Sequence, residues 1–207
     1  SIMDLLDKGQ PELLPLSKTV LEKFEISQND KQAIKQEFLK ILSFLNRMPD
    51  WYTPDWLEAH LSGIPQKFDE SLNRWRRLYK SANQQLIEAR NIIDSGLHKP
   101  DSPEMYNAFK SEKQAIRQRE LLCNPLQSGN LSEFYPYRYL ASEGFLPGYN
   151  FTRLPLRTFI PYGDSGEYIS RPRFIALSEF GPRNMIYHNG GRFQVEQLLF
   201  PDLEKQL

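Results

Sequence analysis

Phe68-Asp69-Glu70-Ser71-Leu72-Asn73-Arg74-Trp75-Arg76-Arg77-Leu78-Tyr79-Lys80-Ser81-Ala82-Asn83-Gln84-Gln85-Leu86-Ile87-Glu88-Ala89-Arg90-Asn91-Ile92-Ile93 is the stretch on which the fold turns. Within it Phe68, Leu72, Trp75, Tyr79, Ala82, Leu86, Ala89 and Ile93 recur at alternating spacings of four and three, a heptad seam rather than the drifting stripe of an ordinary surface helix. The spacing predicts one helix of roughly 27 residues, about 40 Å long at 1.5 Å per residue. Gly96 supplies a stop, and Pro100 cannot continue the helix. Asp101 or Ser102 before Pro103 then opens a second helix, carrying Met105, Phe109, Ile116, Leu121 and Leu122. So short a link makes the two helices antiparallel neighbours, and a helical hairpin over about residues 66–122 is expected.

Working toward the N-terminus, Thr53-Pro54 has the favoured cap-then-proline order and opens a short helix that Gly63 and Pro65 should end. Trp51, Trp56 and Leu57 are its apolar anchors. Ser27, with Asp30 three residues on, is an N-cap signal. After it Ile34, Phe38, Ile41, Leu42 and Leu45 share one face of a helix reaching about Arg47, a stripe expected to be buried. Residues 1–26, broken by Gly9, Pro11 and Pro15, read as a connecting segment with a helix over Ser17 to Phe24. On the hairpin the off-seam residues Arg74, Arg76, Arg77, Lys80, Lys110, Lys113, Arg117 and Arg119 are basic. They suit either a hairpin laid on nucleic acid or a solvated face paired with Glu70, Glu88, Glu112 and Glu120.

Toward the C-terminus the composition changes at Asn124-Pro125 and Gln127-Ser128-Gly129-Asn130, beyond which Pro, Gly and aromatics replace the helix formers. The expected organisation is therefore a helical subdomain over 1–127 and a small β-rich subdomain over 128–207. In the second, Tyr137 to Ser142 predicts a helical turn. Leu156 to Pro161, Glu167 to Ser170, Arg173 to Leu177, Met185 to Tyr187 and Arg192 to Val195 predict strands. Gly163-Asp164-Ser165-Gly166 and Asn189-Gly190 provide the turns, and a short helix could finish Val195 to Leu207. The fold class is α+β: a helical part with a long antiparallel hairpin, then a small antiparallel sheet or partly open barrel.

The totals exclude more than they assign. Lys plus Arg and Asp plus Glu are equal at 26 each, so no global field steers the chain toward nucleic acid or membrane, and any polarity is local. The single cysteine, Cys123, makes neither an internal disulfide nor a zinc site alone, and no apolar run approaches the roughly 20 residues of a membrane span. A cytoplasmic protein, without a membrane partner, is expected. No Gly is followed by Lys as a phosphate-binding loop requires, and His60, His98 and His188 lack metal-ligand spacing. Gly163-Asp164-Ser165-Gly166 copies the residues around a trypsin-like nucleophile but lacks that family's His context, and a turn needs the same residues. No catalytic residue, cofactor or metal is assigned to this chain.

One window is locally polar. From Arg138 to Arg192 there are seven Arg, no Lys and four carboxylates, Glu143, Asp164, Glu167 and Glu179. Arg grips phosphate bidentately and stacks on flat rings, so Arg among aromatics is a composition that a nucleic-acid surface uses. Arg153, Arg157, Arg171, Arg173, Arg183 and Arg192 are the candidate phosphate contacts, with Tyr149, Phe151 and Tyr187 as stacking platforms. Arg171 and Arg173, two apart on one strand, would share a face. The same composition also suits an aromatic β core with ordinary surface charge.

Three parts of this window carry a resemblance: Arg138-Tyr139-Leu140-Ala141-Ser142-Glu143-Gly144-Phe145-Leu146-Pro147-Gly148-Tyr149-Asn150-Phe151, then Arg153-Leu154-Pro155-Leu156-Arg157, then Arg171-Pro172-Arg173 with Leu177-Ser178-Glu179-Phe180-Gly181-Pro182. They resemble a region of large bacterial DEAD/DEAH-box superfamily-2 helicases, including those associated with phage defence and DNA repair. The resemblance covers about the last 70 residues. In such proteins the segment follows the second RecA-like lobe, which would account for a chain that opens Ser1-Ile2-Met3 and holds no ATPase motif. It implies an accessory, non-ATPase domain of an ATP-dependent helicase or translocase, in which ATP and Mg belong to the motor lobes. The implied partners are nucleic acid, DNA in preference to RNA, and the RecA-like lobes of the same parent chain. The alternative is a structural or protein-interaction domain that packs on those lobes or recruits a partner.

Overall fold

The computed structural model describes residues 1–45, 47–123, 134–148, 155–162 and 165–195. The chain is α+β, and it divides into two compact units, Ser1–Gly148 and Tyr149–Leu207. The change of composition at Asn124 lies outside the described residues, and the division by contacts comes later. The reason is visible in the helix Pro136–Ser142: its Tyr139 and Leu140 are buried with the apolar side chains of the helical unit.

The helical unit opens with the 3-10 turn Ile2–Leu5 and continues with α1 (Lys18–Lys23), α2 (Gln28–Leu42), α3 (Pro54–Ser71), α4 (Asn73–Asp94), α5 (Pro103–Cys123) and α6 (Pro136–Ser142). Local chemistry sets most of these ends. Ser27 Oγ accepts from the Asp30 amide, Thr53 Oγ1 from the Trp56 amide with Pro54 in the first turn, and Ser102 Oγ from the Met105 amide. Past α4, Gly96 takes the left-handed conformation (φ 65°) that ends a helix at least cost.

Two helix boundaries depart from expectation, and both concern the seam. The third helix does not stop at Gly63 or Pro65 but runs through both to Ser71. The expected single helix from about residue 66 is broken instead at Leu72. There the Tyr139 hydroxyl enters the backbone ladder: it accepts from the Trp75 amide and donates to the Ser71 carbonyl, each at 2.9 Å. Trp75 N–H and Ser71 C=O are the pair that a regular helix would join directly. A side-chain group inserted in the ladder is a recognised cause of a sharp bend.

The core gathers around this break. Leu72 and Trp75 are fully buried with Phe68, Leu122, Phe134, Tyr139 and Leu140. Ile2, Leu6, Leu14 and Leu16 join them, so the N-terminal segment expected to be a mere connection supplies part of the core. Beyond Trp75, α4 and α5 form the expected antiparallel hairpin, with Trp75 Nε1 donating to the Leu122 carbonyl, Gln85 bonded to Ser111 and Arg90 paired with Glu112. The seam is buried as predicted at Phe68, Leu72, Trp75, Ala82, Leu86 and Ala89. On α5 the buried face is Met105, Ala108, Ala115 and Leu122, while Phe109 and Ile116 are exposed. Four alanines (Ala82, Ala89, Ala108, Ala115) are buried on these helices among larger side chains such as Leu86, Met105 and Leu122, while Phe109 and Ile116 stay outside.

The second unit is built from β1 (Leu156–Tyr162), β2 (Ser165–Arg171), α7 (Arg173–Glu179), β3 (Met185–His188) and β4 (Gly191–Gln194). β1 pairs antiparallel with β2 and β3 with β4, giving two two-stranded sheets and no closed barrel among the described residues. Asn189 and Gly190 both have positive φ (46° and 74°), as the expected two-residue hairpin turn requires. Gly163 and Asp164 of the other turn, and the expected helix at the C-terminus from residue 196, lie outside the described residues. The predicted strand Arg173 to Leu177 is instead α7: Pro172 precedes it, and its carbonyl accepts from the Ala176 amide. A short apolar run such as Phe-Ile-Ala-Leu reads equally as strand or helix until its neighbours decide.

Candidate nucleic-acid interface

Within the second unit, alternation along the strands separates an inner from an outer set of side chains. Ile160, Ile169 and Ile186 are buried together, with Tyr162, Phe180, Phe193 and Val195 packed around them and Tyr162 edge-on to Phe193 at 5.4 Å between centroids. Residues directly opposite one another share a face, so the register assigns the rest. On β1 and β2 the other face carries Arg157 opposite Ser170 and Phe159 opposite Tyr168, the two rings 5.2 Å apart and steeply inclined. On β3 and β4 it carries Met185 opposite Gln194 and Tyr187 opposite Arg192.

Tyr187 and Arg192 are therefore neighbours on one outward face. Tyr187 is 69% exposed, and Arg192 is also exposed, with no carboxylate paired to it among the described residues. The turn beside them is fixed to β2, because Glu167 Oε1 lies 2.7 Å from His188 Nε2 and accepts from Asn189 Nδ2 at 2.9 Å. Glu167 is thus engaged with the turn rather than with an arginine.

The remaining candidate residues are dispersed. Arg171, at the end of β2, donates through Nε to Glu179 Oε2 at 2.7 Å and through Nη1 to the Ser170 carbonyl. Its charge is largely answered within the unit. Arg173 does not share a strand face with Arg171, since it opens α7 and is exposed there. Arg183 is exposed between α7 and β3 at φ 69°, its amide bonded to the Val195 carbonyl. Arg157 is half-buried on the face opposite the isoleucine core of its own hairpin. Tyr149, Phe151 and Arg153 lie outside the described residues. Two exposed apolar side chains were not among the candidate site residues, Phe174 (87% exposed) and Leu177 (76%) on α7. Pro172 beside Arg173, a helix-opening order, was the available signal.

In the helical unit several of the off-seam basic residues turn out to be structural. Arg76 is buried: its guanidinium bonds the Leu14 and Asp69 carbonyls and Asn73 Oδ1 at 2.9 Å and the Asp69 carboxylate at 2.5 Å. Arg74 pairs with Glu143 at 2.6 Å and lies over the Tyr139 ring at 5.2 Å, while Arg119 lies over Tyr79 at 5.7 Å. Glu112, one of the glutamates expected to pair with this face, is bonded to Arg90, which lies outside that basic set. Burial pushes the Tyr139 phenol and the Cys123 thiol above their ordinary pKa values.

The predicted buried stripe of α2 is mostly outside. Leu42 is buried and Phe38 stacks on Trp56, but Ile34, Ile41 and Leu45 are exposed, as are Phe44 (80%), Met48 and Trp51 beyond the helix end. Among the described residues no three His, Cys, Asp or Glu side chains form a metal-sized group, and no helix is long and apolar enough to cross a membrane. No protein-family model matches the chain, and neither a curated protein nor a solved structure matches it.

Proposed function

We propose that the chain is an accessory, non-ATPase domain of an ATP-driven superfamily-2 helicase or translocase, contributing nucleic-acid contacts through its second unit. The pairing of exposed Tyr187 with exposed Arg192 on one hairpin face carries the reading. A cation that can reach a phosphate stands beside a ring that can stack on an unpaired base, held by a turn pinned to β2. Arg183 supplies further exposed charge, whereas Arg171 contributes less because Glu179 already holds it.

The test is binding of labelled single-stranded and duplex DNA and RNA, followed by anisotropy against salt. Arg192→Ala should reduce the slope of log affinity against log salt by about 0.7 on single strands, and Tyr187→Ala should weaken binding by about 1–3 kcal/mol with little sequence preference. Absence of salt-dependent binding at low ionic strength to all four probes sinks the reading. The helicase context is tested separately by the encoded sequence preceding Ser1, where motor-lobe motifs are expected.

A second reading rests on a different observation. Ile41, Phe44, Leu45, Met48 and Trp51 fall close together in sequence and are each exposed, an apolar concentration of the kind that marks a protein contact. On this reading the helical unit packs on the motor lobes or recruits a partner, and Phe44→Ser with Trp51→Ser would abolish that association while leaving nucleic-acid binding intact.

A further inference from the structure

We infer that the joint between α3 and α4 is a hinge, and that α6 sets its position by inserting or withdrawing the Tyr139 hydroxyl. The hydroxyl stands where the Trp75 N–H to Ser71 C=O bond of a continuous helix would be, satisfying both groups at 2.9 Å. Neither backbone group is therefore lost in either state: with the peg in, they bond to tyrosine, and with the peg out, they bond to each other. That equivalence makes two arrangements available to one sequence. The burial that raises the Tyr139 pKa keeps the phenol protonated, so that it donates to Ser71 and accepts from Trp75 together.

Other contacts at the joint hold the bent state. Leu72, the residue between the helices, lies close to helical geometry (φ −85°, ψ −4°), so a small backbone change would merge them. α6 is clamped by Arg74, which bonds Glu143 just beyond α6 and covers the Tyr139 ring. Arg76 reaches across the break to Asp69, seven residues earlier, through both its carbonyl and its carboxylate. Since α4 carries α5 with it through the hairpin, straightening the joint redirects the whole α4–α5 arm relative to α3.

The experiment is a spin-label distance measurement on the full chain, with Cys123→Ser as background and labels at Ala59→Cys on α3 and Asn91→Cys on α4, both exposed. In an uninterrupted helix those sites lie about 48 Å apart, at 1.5 Å for each of roughly 32 steps, and a bend shortens this. The bent distance is expected with Tyr139 present, and Tyr139→Phe is expected to move the maximum toward the straight-helix value with helix content by circular dichroism retained. A direct scalar coupling between the Trp75 amide nitrogen and the Ser71 carbonyl carbon should appear in the same variant. A folded Tyr139→Phe protein with an unchanged distance and no such coupling overturns the hinge. Should Tyr139→Phe fail to fold, Arg74→Ala with Glu143→Gln loosens α6 while keeping the hydroxyl. That variant is expected to show a second, longer population, and a single unchanged distance overturns the proposal.

Discussion

Arg76 and Tyr139 each bond backbone groups that lie more than sixty residues away in the chain. Replacing Arg76 by Ala leaves the buried Leu14 carbonyl without its donor and removes a packed side chain, while Asp69, partly exposed, can turn to water. The expected cost is about 2–3 kcal/mol, read from urea denaturation. Tyr139 predicts an alkaline effect whose sign follows from its raised pKa. The folded protein holds the phenolic proton more tightly than the unfolded chain, so this contribution is complete below the ordinary phenol pKa of 10.0 and is lost as pH rises through the folded value. Stability should therefore fall more steeply above about pH 10 in the native protein than in Tyr139→Phe. Cys123, whose thiol is pushed up by burial, should be alkylated slowly in the native state and rapidly in denaturant.

For the elements, the α4–α5 hairpin offers the sharpest contrast between pattern and packing. Leu86 is buried in the seam, so Leu86→Ala should cost about 2–5 kcal/mol in thermal or chemical unfolding. Ala115 is fully buried on the facing helix, and Ala115→Leu should cost about 1–3 kcal/mol by overpacking the same interface. The sequence pattern put Met105, Phe109, Ile116, Leu121 and Leu122 on the apolar face of α5; Met105 and Leu122 are buried, Phe109 and Ile116 are exposed, and Ala108 and Ala115 take the buried places between. The seam of α4 was legible because its spacing is regular over several turns. The complementary face of α5 was legible only in part, because apolar size alone does not say which of its residues face a seam that includes Ala82 and Ala89.

Across the whole molecule, two cores of unequal size coexist. The helical unit buries Trp75, Tyr139, Phe68 and a set of leucines, whereas the described core of the second unit rests on Ile160, Ile169 and Ile186. So small a core has little stability to lose. Ile169→Ala should abolish amide-exchange protection along β1 to β4 while the amides around Trp75 keep theirs. The candidate interface stands on the weaker unit, so nucleic-acid binding should disappear in that variant as well.

What the sequence determined by itself is the chemistry that acts over a few residues. The caps at Ser27 and Thr53, a cap at Asp101 or Ser102 that the structure gives to Ser102, the stop at Gly96, the Asn189-Gly190 turn and the α4 seam all follow from neighbours within one or two turns. That Tyr187 and Phe193 flank this turn was legible in the same way; that Tyr187 stands opposite Arg192 is seen in the strand register. Tertiary structure alone decided where the long helix breaks, since the hydroxyl that enters it is 64 residues from Trp75. It also decided that Arg76 is buried, through a carbonyl 62 residues away, and that Arg171 is paired to Glu179 across a helix the sequence read as a strand. The first two outcomes depend on groups brought together from distant parts of the chain, and a hydrogen bond made at long range leaves no periodicity in the residues that make it; the third turns on the intervening residues forming α7.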